Sequence, residues 1–193
     1  PVYKNQITVA HPATSGTAYT MLATVVQLND RDANKAFTYL AALNQNVLEY
    51  QRAGTAPVRI AGAGDAAIAI AFSHDIIAAI ENGFADLKVV FPSEGTGYEI
   101  GSMALLKNAP EPKLAKRFMD WALTEKAQEL GPLFTAYQIP TNPDAKVPQK
   151  STKLSTVKTI DYDFRWSGDN RQGLVARFNG LAPVQLVASP GGR

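Results

Sequence analysis

Three hydroxyl side chains and one glycine stand directly before an apolar helical pattern near the start of the sequence. They form the run Thr14-Ser15-Gly16-Thr17, and the residues that follow, as far as Leu28, place apolar side chains at helical spacing. A helix N-terminus carries amide groups without partners inside the helix and a partial positive charge, and hydroxyls add donors. The run therefore predicts a seat for an oxyanion. Simple capping of the helix by one hydroxyl explains the same residues, and both interpretations stay open here.

A second, weaker pattern of the same kind occurs further along the chain. Gly54 and Thr55 precede a short helix predicted over Ala56–Gly62. A turn followed by a cap would also produce it. If this helix end and the first one face the same cleft, Thr55 becomes a ligand-binding candidate together with Thr14 to Thr17.

Polar side chains also follow an apolar run of strand length. Ser73, His74 and Asp75 come directly after Ala66–Phe72, whose composition is typical of a parallel strand covered on both faces. Open α/β sheets bind ligands at the carboxyl ends of their strands, so these three residues are ligand-binding candidates. Capping of the next helix by Ser73 or Asp75 is an equal alternative.

The segment FPSEGTGYEI, residues 91–100, supplies another group of candidates. It combines the side chains of Glu94, Thr96 and Tyr98 with two glycines between predicted strands. A flexible strand that crosses between domains has this composition, and so does an ordinary long turn. We call residues 93–100 the crossing segment.

Enzyme chemistry finds little support in these patterns. Ser73, His74 and Asp75 are adjacent in sequence and cannot form a relay, and no Gly-x-Ser-x-Gly elbow exists. The glycines of GAGDA, residues 62–66, precede a strand instead of following one, which excludes a dinucleotide fingerprint. We predict no catalytic residue, no cofactor and no metal ligand, and an enzyme that uses His74 remains a remote alternative.

Composition excludes several further classes of protein. The 193 residues are 46% hydrophobic, enough for a packed core, and carry a formal net charge of only +2 without a basic stripe. Nucleic acid is therefore not expected as a partner. The absence of cysteine excludes disulfides and thiolate chemistry. No apolar run reaches the roughly 20 residues that a membrane-spanning helix needs.

Strands and helices alternate along the sequence, which predicts an α/β fold with a mostly parallel sheet. The predicted strands are Ile7–Ala10, Ala66–Phe72, Leu87–Pro92 and Gly101–Ala109, and Gln45–Tyr50 is predicted to form a short strand or a turn. The predicted helices are Thr17–Leu28, Arg31–Ala42, Ala56–Gly62, His74–Gly83, a two-part stretch over Glu111–Pro132, and Gly168–Asn179. A long surface loop is expected over Tyr137–Ser155, and the last residues, SPGGR, are expected to be either a disordered tail or a remnant of an expression tag.

Five stretches carry a resemblance to a known family. They are residues 5–28 (NQITVAHPATSGTAYTMLATVVQL), 50–75 (YQRAGTAPVRIAGAGDAAIAIAFSHD), 89–130 (VVFPSEGTGYEIGSMALLKNAPEPKLAKRFMDWALTEKAQEL), 137–142 (YQIPTN) and 160–178 (IDYDFRWSGDNRQGLVARF). In this order they resemble the extracytoplasmic solute-binding proteins of bacterial ABC importers. The group is usually labelled ferric-iron binding and includes phosphonate and sugar-phosphate binders.

The resemblance implies a type 2 periplasmic-binding-protein fold, with two α/β lobes and a ligand cleft between them. It implies that residues 1–92 are the second, complete lobe, and that 93–193 comprise the crossing strand and the C-terminal part of the first lobe. An N-terminal part of about a hundred residues is expected to be missing. Iron-binding members place two adjacent tyrosines where this sequence has Ser73-His74-Asp75.

These expectations combine into one function. The resemblance implies a binding protein, not an enzyme, that holds a small anionic solute, a phosphonate or organophosphate, and delivers it to the membrane permease of an ABC importer. Its expected location is the periplasm, or the outer face of a Gram-positive membrane. Ferric iron held with a synergistic anion is the alternative ligand.

Overall fold

The computed structural model describes residues 2–183, and within them the chain is an α/β protein with a three-stranded sheet. The strands are β1 (Ile7–Ala10), β2 (Val47–Gln51) and β3 (Ile68–Ile70). The helices are α1 (Gly16–Leu28), α2 (Ala33–Asn44), α3 (Ala56–Gly62), α4 (Ser73–Glu81), α5 (Pro112–Ala122), α6 (Glu125–Gln128) and α7 (Phe164–Leu181). Short 3-10 turns cover Gly131–Phe134 and Leu154–Thr156. None of the described helices has the length and apolar character needed to cross a membrane.

The sheet has the order β2-β1-β3, and both pairs of neighbouring strands are parallel. In the register, Val9 of β1 lies beside Tyr50 of β2 and Ile70 of β3. Because the strands are parallel, their carboxyl ends meet at one edge of the sheet. The segments that lead into α1, α3 and α4 therefore all start at that edge.

The hydrophobic core lies where α1 and α2 pack together. Leu22 and Val26 of α1 are fully buried, as are Leu40 and most of Phe37 of α2. Burial of each such side chain favours folding by about 1.5–3 kcal/mol relative to an exposed position. Helix α2 begins where the Asp32 carboxylate accepts hydrogen bonds from the amides of its first turn.

Helix α7 belongs to the same core, although it lies far along the chain. Leu174 and Phe178 are buried in the cluster that α1 and α2 form. The helix starts at Asp163, whose carboxylate accepts the Trp166 amide at 2.8 Å and pairs with Arg31 at 2.9 Å. Helix α7 thus packs on elements of the predicted second lobe, although it follows residue 92, where the sequence predicted that lobe to end.

The crossing segment pairs with the chain that leads into α7. The Thr96 amide donates to the Lys158 carbonyl at 2.9 Å, and the Ile160 amide donates to the Thr96 carbonyl at 3.0 Å, in a parallel bridge. Two stretches of chain thus run side by side in the same direction.

Two predicted strands are wrong for the described part of the chain. Residues 87–92 and 101–109 form no strand, and none of their backbone groups pairs with another strand within residues 2–183. An apolar alternating run becomes a strand only when a neighbour accepts its backbone hydrogen bonds. The sequence pattern reports the apolar run but not the neighbour.

Other boundaries differ less. The run Ala66–Phe72 forms a strand only over Ile68–Ile70, and these three strand residues are half-buried because β3 is at the edge of the described sheet. The predicted loop over Tyr137–Ser155 is confirmed up to the short turn at its end, although Tyr137, Ala145 and Ser151 are buried in it. The SPGGR tail lies outside the described residues.

Candidate functional site

The candidate residues after β1, β2 and β3 gather at the carboxyl edge of the sheet. The Thr14 hydroxyl donates to the Arg52 carbonyl at 3.0 Å, which ties the loop after β1 to the loop after β2. The two loops also lie close together at Gly54. A β-carbon placed on Gly54 would collide with the Thr17 side chain and lie 3.0 Å from Ser15 Oγ. The first two predicted helix ends therefore face each other.

The hydroxyls of the first loop divide into different roles. Ser15 is the N-cap of α1, and its buried Oγ accepts the Ala18 amide at 3.4 Å. The exposed Thr14 donates its hydroxyl to backbone carbonyls. Among residues 2–183, the Thr17 hydroxyl and the amides of Gly16 and Thr17 have no hydrogen-bond partner. Ser15 therefore caps the helix, while the Thr17 hydroxyl is available to donate to an oxyanion.

Glu99 lies beside the same helix end, and the sequence analysis did not identify it. Its carboxylate oxygens are 3.9 and 4.0 Å from a β-carbon placed on Gly16, and Thr20 Oγ1 approaches Oε2 at 3.5 Å. The crossing segment brings Glu99 there because it runs along α1 from its C-terminal end to its N-terminal end. Gly95 packs near Leu28 at the C-terminal end.

That direction separates the predicted residues of the crossing segment. Glu94 and Thr96 lie toward the C-terminal end of α1, away from the loop that contains Thr17. Hydrogen bonds from its own amide and from the Ser93 hydroxyl lower the pKa of Glu94, which is exposed. Tyr98 is near Glu99 and packs edge-on against Phe164, with ring centroids 5.4 Å apart.

A cavity of about 220 Å³ opens beside the N-terminal end of α1. Arg171 of α7 borders it and lies over the Tyr19 ring at 4.8 Å. Burial, and then the neighbouring Tyr162, raise the pKa of Tyr19 to about 12, so this phenol stays protonated and donates to the Ser167 carbonyl. The cavity is lined by Gly16, Tyr19, Thr20, Tyr98, Glu99, Tyr162, Phe164, Ser167, Gly168 and Arg171.

Ser73, His74 and Asp75 form the first turn of α4 and are half-buried. Thr152 donates to Ser73 Oγ at 2.8 Å, so the loop before α7 packs against this turn. His74 Nε2 lies 3.5 Å from Asp75 Oδ1. Burial raises the pKa of Asp75, and the charge of protonated His74 opposes that shift. A half-buried carboxyl group beside a histidine, at the carboxyl edge of a parallel sheet, is a candidate for ligand contact.

Two other observations concern places away from this edge. A larger open depression of about 510 Å³ is formed by α5, α6 and the loop after them, and it contains no residue that follows a strand. Within residues 2–183, no three His, Asp or Glu side chains form a group that could hold a metal ion.

The sequence of this chain matches a family model and a known bacterial protein. A family model described as bacterial extracellular solute-binding protein matches residues 2–159. The chain belongs to this family. A protein of Haemophilus influenzae that carries no functional description is 39% identical over 181 residues, which are 92% of this chain and 51% of that protein. The predicted family and the predicted extracytoplasmic location are thus confirmed.

Solved structures confirm the periplasmic-binding-protein fold. The periplasmic binding protein AfuA from Actinobacillus pleuropneumoniae, with exogenous fructose-6-phosphate bound, aligns with a TM-score of 0.89 and 38% identity, over 96% of this chain and 58% of its own. The periplasmic binding protein P5PA aligns with a TM-score of 0.85 and 33% identity, over 93% and 57%. This chain of the solute-binding family therefore spans little more than half the length of these relatives.

Glu99 and Arg171 are the site residues that sequence reasoning missed. A glycine every second residue, at Gly95 and Gly97, signals close backbone packing, but it does not say on which helix or in which direction. Nothing local to Arg171 distinguishes it from the other charged residues of α7. Only the packing of α7 on α1 brings it to the cavity.

Proposed function

We propose that this member of the solute-binding family is the substrate-binding part of an ABC importer and that its solute is an organophosphate of the sugar-phosphate type. The observation that carries the proposal is the N-terminus of α1, where the Gly16 and Thr17 amides and the Thr17 hydroxyl have no hydrogen-bond partner among the described residues. The bound fructose-6-phosphate named for AfuA supports the same ligand class.

The phosphate would occupy the helix end itself. Two backbone amides and one hydroxyl donate to its oxygens, and the partial positive charge of the helix adds to their attraction. Each hydrogen bond to a charged oxygen contributes about 1.5–3 kcal/mol. Gly54 leaves room for the Thr17 hydroxyl, which a β-carbon at that position would displace.

The organic part of the ligand would extend toward Glu99. A carboxylate beside an anion seat repels a second negative charge but accepts hydrogen bonds from hydroxyl groups. Arg171, at the rim of the same cavity, offsets part of the negative charge. This arrangement favours a polyol with one phosphate over a metabolite with a second phosphate group.

His74 and Asp75 would contact the ligand from the next strand end. Their position at the carboxyl edge and the raised pKa of Asp75 support this role. We further propose that ligand binding closes the first lobe over this edge about the paired chains at Thr96 and Thr159, and that the closed form is recognised by the permease. No chemical step is assigned to the protein.

Two conservative variants test the anion seat. Thr17→Val removes a hydroxyl without a partner among the described residues, so it should weaken fructose 6-phosphate binding about tenfold and leave the melting temperature nearly unchanged. Ser15→Ala removes the cap, so it should lower stability by about 1 kcal/mol. Calorimetric titration and thermal melts on both variants separate the two roles. Wild-type affinity in Thr17→Val would refute the seat.

A further inference from the structure

His11 is a buried histidine that the proposed binding site does not use directly. It follows β1 and precedes the loop that leads to α1, and only 3% of it is exposed. Its ring packs edge-on against Tyr50 and Phe178, with centroids 5.6 and 5.4 Å away. A buried ring of this kind normally has both nitrogens hydrogen-bonded.

The two partners of the ring fix its tautomer. Nδ1 lies 3.1 Å from the Ala13 amide, which can only donate, so Nδ1 accepts. Nε2 lies 2.8 Å from the Ala182 carbonyl, which can only accept, so Nε2 carries the proton. The ring is thus neutral and connects the end of α7 to the loop before α1.

The backbone of His11 acts on the same loop. Its carbonyl accepts the amides of Thr14 and Ser15, each at 3.0 Å, and its own amide donates to Gln51 of β2 at 2.8 Å. The Ala13 amide has its partner in the imidazole instead. The imidazole is therefore the side-chain acceptor among the hydrogen bonds that set the loop ahead of Gly16.

We propose that His11 is the positioning residue of the anion seat, in which Nδ1 sets the loop through Ala13 while Nε2 anchors the ring on α7. The proposal rests on the proposed function for its effect on binding. It assigns different consequences to the two nitrogens. Loss of the Nδ1 acceptor should reorient the Gly16 and Thr17 amides, whereas loss of the Nε2 donor should cost stability alone.

Two variants replace one nitrogen each. His11→Asn retains an acceptor near the position of Nδ1 and lacks a donor that can reach Ala182. His11→Gln retains a donor near the position of Nε2 and lacks the near acceptor. Circular dichroism verifies that both variants fold, and 31P NMR titration with inorganic phosphate measures binding by the 193-residue chain.

We expect His11→Asn to bind phosphate within about threefold of wild type but to melt earlier, and His11→Gln to bind about tenfold more weakly at a melting temperature closer to wild type. Amide exchange gives a readout without ligand: the Ala13 amide should be protected in wild type and His11→Asn and exchange rapidly in His11→Gln. Equal Ala13 protection in the two variants, or affinity losses that follow the melting temperatures, would overturn the proposal. Absence of phosphate binding by wild type, with Ala13 exchange as expected, would refute the anion seat and leave the role of His11 in the loop intact.

Discussion

At the scale of single residues, Gly54 determines whether two loops can meet at the candidate site. A methyl group there would collide with Thr17, so the loop after β2 or the start of α1 must shift. We expect Gly54→Ala to weaken binding of a phosphate ester by at least about tenfold and to destabilise the fold by about 1–3 kcal/mol. Titration calorimetry and urea unfolding measure both effects.

Gly173→Ala is the matched control for that substitution, because nothing lies within 4 Å of a β-carbon on this α7 residue. It should leave affinity unchanged and slightly stabilise the helix. A Gly54→Ala variant with wild-type affinity would show that the two loops do not act together.

The burial of Asp75 predicts how the stability of the fold depends on pH. Burial raises its pKa above the usual 3.8, so the folded chain holds this proton more tightly than the unfolded chain does. The stability contributed by the protonated form is therefore fully present below pH 3.8 and is lost as the pH rises through the folded pKa. Asp75→Asn should melt higher than wild type at pH 7.5, and the difference should shrink as the pH falls toward 3.8.

Thermal melts across this pH range check the prediction, with Asp65→Asn as the control because Asp65 is exposed. The control should show little difference from wild type at any pH. A gain for Asp75→Asn that is absent at pH 7.5, or that grows on acidification, would contradict the burial cost assigned to Asp75.

The sequence identified part of this site at the residue scale. The loop from Thr14 to Thr17 could be found because hydroxyls before a helix have a local physical meaning. Glu99 could not, since its role depends on the path of the crossing segment over α1. The sequence also could not say that Ser15 caps the helix while the Thr17 hydroxyl has no partner among the described residues, which the hydrogen bonds show.

At the scale of elements, the crossing segment and α1 form one packed unit. Gly97 packs so closely on α1 that a β-carbon would collide with Thr24 and lie 3.0 Å from the Tyr162 ring. Gly97→Ala should therefore destabilise the chain by about 1–3 kcal/mol. Gly101→Ala should cost little, because nothing lies within 4 Å of a β-carbon there.

A second substitution identifies the cause of this loss. Combining Gly97→Ala with Thr24→Ala removes the atom that the new methyl group meets, so stability should recover in part. Urea unfolding of the single and double variants gives the free energies of unfolding for a double-mutant cycle. Strict additivity of the two effects would contradict direct packing of Gly97 on Thr24.

The element pattern was predictable wherever an element carries its own signals. Strand β1, helix α1 and helix α3 have the predicted bounds to within one residue, because caps, a proline and helical spacing mark them locally. The strands expected at 87–92 and 101–109 fail for the opposite reason. Their formation needs a pairing partner, and no local pattern reports one.

At the scale of the whole molecule, helix α5 leaves a large apolar face uncovered. Leu114, Phe118 and Trp121 occupy one face of the helix and are 60%, 57% and 49% exposed. Contiguous apolar area of this kind promotes association. We expect the 193-residue chain to self-associate at micromolar concentrations, and Leu114→Glu with Phe118→Lys to reduce this. Sedimentation velocity measures it, and a monomeric wild type would contradict the prediction.

The central claim is that a phosphate group binds at the N-terminus of α1, and amide chemical shifts test it most directly. Titration of the 15N-labelled chain with fructose 6-phosphate should produce its largest shifts at the Gly16 and Thr17 amides, with smaller ones near Glu99. Titration with fructose, which lacks the phosphate, should leave these two amides nearly unchanged. Shifts of equal size with both sugars, or phosphate-dependent shifts confined to other parts of the chain, would contradict the account.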